Sequence, residues 1–172
     1  MLGHTGFRWL LTGIGAAVTA VFGAVGLWER NHILSQPFFN GSTWWDSTAR
    51  FHVWPWPFKL AAIYNMPAFI GGWIIMLPIR LVWPTLLEAG DLVPSVMLAA
   101  LLWYWVGSRL EAYSAITRWT WLFVFAAVSL TGAFIQMGYT GWLTYGVLMW
   151  CIAAMVLRRS RAPSKKIPSQ LA

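Results

Sequence analysis

Between Glu29 and Lys59 the chain carries two imidazoles, His32 and His52, and two carboxylates, Glu29 and Asp46. These side-chain types hold zinc or iron and serve as general acids and bases. Their spacing, however, matches no metal motif, and the chain has no GxSxG elbow, no HExxH and no glycine-rich phosphate loop. No catalytic residue, metal ligand or cofactor is assigned on this pattern. A membrane-embedded enzyme using His32, Asp46 and His52 is the third-ranked reading of the segment.

A different chemistry fits the same stretch better. Trp44, Trp45, Trp54 and Trp56 alternate with Arg50, His52 and Lys59, so cations that attract an anionic headgroup sit among rings that suit a lipid or partner surface. Pro55 and Pro57 lock their own φ and bias the residues before them toward extended backbone. The WPWPF run is therefore expected to lie along a membrane surface as a stiff aromatic strip.

The elements that must position such a segment are set by composition. Of 172 residues, 59% are hydrophobic and only 10% charged, against about 25% charged in ordinary soluble domains. A chain of this kind cannot cover its apolar surface in water, and its 14 tryptophans favour the headgroup zone. The net charge of +7 does not point to nucleic acid. Five of the twelve basic residues fall within 158–172, and the others stand singly beside apolar runs, which is a topology pattern. Cys151 is the only cysteine, which excludes an intrachain disulfide and a cysteine metal cluster.

Crossing about 30 Å of hydrocarbon takes roughly 20 apolar residues in a helix. Runs at 7–28, 60–83, 92–107, 119–137 and 142–157 predict an all-α, multi-pass bundle of about five transmembrane helices within a single domain, 1–157. The segment 29–59 is predicted to be interfacial and 158–172 to be a basic disordered tail. The first run exceeds the 7 to 15 apolar residues of a typical cleaved signal. The second contains Pro67, Gly71, Gly72 and Pro78 and should kink near Pro67. The third, 92–107, is the weakest span, and the last two form a hairpin across 138–141.

Ionisable residues at mid-bilayer depth would mark a transport pathway, and the runs hold essentially none. Asn65 and Gln136 are the notable polar side chains there, expected either to join helices by hydrogen bonds or to form the polar site of a transporter. Gly15, Thr19 and Gly23 make a small-residue stripe for a neighbouring helix, in this chain or in another subunit. With five crossings and the tail in the cytoplasm, ten lysines and arginines fall inside and two, Arg8 and Arg80, outside. That places 29–59 in the cytoplasm and the protein in the cell (inner) membrane.

The leading functional expectation is a non-enzymatic integral membrane protein acting through lipid or partner-protein contacts. Its partners would be membrane lipids and a second copy or another membrane subunit, not nucleic acid. A small-solute transporter or channel built on Asn65, Pro67 and the Gly71–Gly72 pair is the alternative.

Overall fold

The computed structural model describes residues 6–36, 53–82, 89–135 and 139–159, which are 91% helical and contain no strand. The helices are α1 (Gly6–Leu34), α2 (Trp56–Tyr64), α3 (Met66–Val82), α4 (Ala89–Leu110), α5 (Ala115–Phe134) and α6 (Tyr139–Arg159). Four of them, α1, α4, α5 and α6, are long and apolar enough to cross a bilayer. The fifth apolar unit is the pair α2 and α3, bent by 95°. The expected all-α bundle is thus present, with its second apolar run broken in two.

Several helices are longer than the apolar runs. α1 continues through Leu34 because nothing in ERNHIL breaks a helix, so part of the segment expected to be interfacial is helical. α4 gains a turn at each end, and its 22 residues span about 33 Å at helical rise. Asp91 in its first turn and Arg109 in its last complement the helix dipole. α5 starts at Ala115 because the Ser114 hydroxyl accepts the Thr117 N–H at 3.3 Å, a capping bond that satisfies an orphan donor.

Contacts fix the direction of each helix. Arg8 pairs with Glu111 at 2.7 Å, and Gly23 abuts Leu92, so α1 and α4 are antiparallel. Phe7 packs on Trp119, ring centroids 5.8 Å apart, bringing the start of α5 to the same end. Tyr145 donates to the Val128 carbonyl at 2.8 Å and Trp150 packs on Phe125, which turns α6 back along α5. One end of the bundle, called the clasp end for its Arg8–Glu111 pair, therefore carries the starts of α1 and α5 and the finishes of α4 and α6.

α2 begins at the opposite end, where Phe58 meets Gly26 and Trp56 stacks on Phe134 at 5.2 Å. It advances to the centre, where Tyr64 stacks on Trp103 at 4.6 Å. α3 then runs back antiparallel to α4, with Gly71 against Leu98, Gly72 against Ser95 and Met76 against Gly90. The pair forms a V that enters and leaves at one end.

The core is an aromatic layer contributed by the V and by α4, α5 and α6, centred on the fully buried Trp103. Gly15 admits that ring, since a Cβ at this position would lie inside the indole's van der Waals surface. Thr19 is fully buried and its hydroxyl bonds back to the Gly15 carbonyl at 2.8 Å. The small-residue stripe of α1 thus receives α4 of the same chain.

The V makes a testable demand on sidedness. With Cys151→Ser as background, Ser35→Cys and Val82→Cys are expected to react with an impermeant maleimide from one side of the membrane, and Ala112→Cys from the other. Labelling of Val82→Cys from the side of Ala112→Cys would show that the second apolar run crosses.

Candidate functional site at the helix break

The break is a problem in backbone hydrogen bonding. In a continuous helix the Ile63 carbonyl would accept from residue 67, but Pro67 has no N–H. The indole Nε1–H of Trp150 donates to that carbonyl instead, at 3.1 Å. Asn65, at the vertex, is fully buried. Its Nδ2 donates to the Ala61 carbonyl at 3.1 Å, and its Oδ1 accepts from the Trp103 Nε1–H at 2.6 Å. Its own carbonyl accepts from the N–H groups of Ala68 and Phe69, which starts α3. An unbonded backbone group in apolar surroundings costs several kcal/mol, so these bonds decide whether the vertex can exist at this depth.

Rings enclose the vertex. Trp103 packs edge-on to Phe125 at 5.6 Å and to Trp150 at 5.9 Å, and Phe125 packs on Trp150 at 5.0 Å. Such edge-to-face pairs add about 0.5 to 1.5 kcal/mol each beyond the area they bury.

Beside the vertex is an apolar groove of about 450 Å³ between α3, α4 and α6. Met66, Pro67 and Ile70 form one wall, Leu102 and Trp105 another, and Val147, Trp150, Cys151 and Ala154 the third. Its origin is the V itself. α3 starts at mid-bundle and runs away from the clasp end, so among the described residues no helix is laid over the flanks of α4 and α6 nearer that end. The Cys151 thiol is exposed on this wall.

At the clasp end Arg8 makes a two-pronged contact with Glu111, Nη2 at 2.7 Å and Nε at 3.2 Å, and its backbone N–H also points to that carboxylate. Arg118 donates to the carbonyls of Glu111 and Tyr113, both at 2.8 Å, with its guanidinium over the Phe7 ring. Three helix ends are tied together here.

The residues anticipated from the sequence are dispersed. Trp54 packs inward, with the Arg30 guanidinium 4.3 Å from its ring centroid and Trp142 at 6.4 Å. Trp56 lies between Phe22 and Phe134, and Lys59 is half-buried on α2. Within the strip, Trp54 and Phe58 pack against the core while Trp56 stays exposed. Pro55 is the extended residue before α2, and Pro57 falls in its first turn, where a missing N–H leaves no helical bond unmade. Glu29, Arg30 and His32 sit on the last turns of α1, with His32 stacked on Trp28. Trp44, Trp45, Asp46, Arg50, His52 and Gln136 lie outside the described residues. Among the described residues no three His, Cys, Asp or Glu side chains gather as a metal site would require.

Three residues that matter here escaped the sequence reading. Trp103 sits beside Tyr104 and Trp105 near the end of its apolar run, where it reads as part of an interfacial belt, yet it is fully buried; Trp150 lies well inside the last run, and that depth was its available signal. Glu111 had none, because nothing local links it to Arg8, 103 positions away.

No protein-family model matches the chain, and neither does a curated protein or a solved structure. The apolar helices are compatible with a membrane protein.

Asn65→Leu is expected to destabilise the protein by about 1 to 2 kcal/mol, because it strands the Trp103 indole donor as well as losing the bond. Trp103→Phe should cost less on that background than in the wild type, because the stranded donor leaves with the indole. Strict additivity in a double-mutant cycle of thermal or denaturant unfolding would show that the two side chains are not coupled.

Proposed function

We propose that this is a multi-pass protein of the cell membrane that acts without catalysis, through the lipids or partner proteins it holds. The observation that carries the reading is the half-open apolar groove beside a vertex whose Ile63 carbonyl and Asn65 side chain are both engaged. A conduction path would turn the vertex's polar groups toward a water-filled cavity. Here the Asn65 amide braces the bend, and the Gly71–Gly72 pair lies against α4. The geometry thus favours contact over transport.

The V also bears on orientation, since a segment that enters and leaves at one end adds no crossing. Four crossings put both termini on one side. Counting each connection with the helix ends it joins, Arg8, Arg109, Arg118 and the five basic tail residues gather at the clasp end, eight against four at the other. The positive-inside rule then places the clasp end and the C-terminus in the cytoplasm. The C-terminus keeps the side expected from a five-span count, but residues 29–59 move to the opposite face. Trp44, Trp45, Arg50, His52, Trp54, Trp56 and Lys59 would then meet lipid headgroups or a partner there.

Ala154→Phe fills the groove from an outward-facing helix wall. The purified wild-type protein is expected to retain lipid in native mass spectrometry, and the variant about tenfold less, with an unfolding temperature close to the wild type. Equal retention would remove the groove as a lipid site. A C-terminal green fluorescent protein fusion is expected to fluoresce in a bacterial host, and a dark, exported fusion would reverse the orientation.

A further inference from the structure

The two long walls of the groove end in arginine. On α4, Leu102 and Trp105 line it, and Arg109 is the next residue on that helical face; on α6, Val147, Cys151 and Ala154 line it and are followed by Arg158. The spacings are three, four and seven residues, which keep one face of an α-helix in register. Both arginines stand about 6 Å beyond the last lining residue of their helix, toward the clasp end.

The Arg109 guanidinium lies over the Trp105 ring at 5.2 Å, so a groove-lining indole holds the cation at the mouth. Arg158 is exposed. The Arg8–Glu111 ion pair involves neither arginine and engages the carboxylate nearest to Arg109 in sequence. The result is an apolar trough, closed at mid-bundle by Pro67 and Ile70, with two cations at its open end.

Resting on the lipid-contact reading above, we propose that this trough holds one acyl chain of an anionic phospholipid from the clasp-end leaflet, with the phosphate between Arg109 and Arg158. A zwitterionic headgroup carries its own cation and gains less from the pair. Arginine in a last turn also complements a helix dipole, but that role requires neither the shared face with the groove nor the stacking on Trp105.

The test is lipid competition on the purified full-length protein, read by native mass spectrometry with equal phosphatidylglycerol and phosphatidylcholine. The wild type is expected to prefer phosphatidylglycerol about 25-fold, about fivefold for each arginine. Arg158→Gln, at an exposed position, should lower the preference about fivefold, and Arg109→Gln with Arg158→Gln should abolish it while phosphatidylcholine is still retained. Arg109→Lys keeps the charge and should keep most of the preference.

Equal retention of the two lipids by the wild type overturns the proposal. If Ala154→Phe then still removes both lipids, the groove remains a lipid site and only its anion selectivity is lost. If Ala154→Phe removes neither, both readings fall. Displacement of the lipid by inorganic phosphate alone would also overturn it, because the chain would then contribute nothing.

Discussion

A backbone carbonyl in an apolar interior has to find a donor, and Pro67 withdraws the one that Ile63 would ordinarily use. Much of the bundle's form follows from how that debt is met. The Trp150 indole supplies the missing N–H, and Asn65 closes the end of α2 with its side chain and opens α3 with its carbonyl. Because the vertex can be satisfied at mid-depth, α3 is free to leave at 95°. Without Trp150 and Trp103 in place, the same residues would face an unsatisfied vertex, and a straighter path would be less costly.

Close packing makes those donors available. Trp103 reaches Asn65 only because Gly15 on α1 presents bare backbone to its ring, and Gly72 lets α3 settle against α4 at Ser95. These are uses of glycine for approach, suited to helix pairing in lipid, where apolar burial between helices supplies little drive and contact distance matters more. The clasp at the other end serves a similar purpose with charge. The Glu111 carboxylate takes the Arg8 guanidinium and a free amide of the first turn of α1, joining the start of one long helix to the finish of another.

The groove is a by-product of the V that the surrounding chemistry makes useful. A helix that crossed fully would have covered the clasp-end flanks of α4 and α6. The withdrawn α3 leaves them bare, and the bare wall is apolar along its depth and basic at its mouth. That gradient matches the profile of a lipid.

Composition, run length and the tryptophan excess determined an all-α bundle built for an apolar solvent, because each is a property of local sequence: hydropathy along 20 residues, a proline that must disturb a helix, a small-residue stripe that must meet a neighbour. Pro67 announced a disturbance but not its size. A proline kink and a 95° break differ only in whether donors from distant helices reach the freed carbonyl, and Trp150 lies 87 positions from Ile63. The inward turn of Trp54, the pairing of Arg8 with Glu111 and the groove beneath α3 were likewise decided by tertiary structure, since each joins residues whose separation along the chain carries no periodic signal. The aromatic segment that looked most functional in the sequence, as far as it is described, packs at one end of the bundle. The apolar pocket lies on helix walls that read, one residue at a time, as ordinary membrane-spanning sequence.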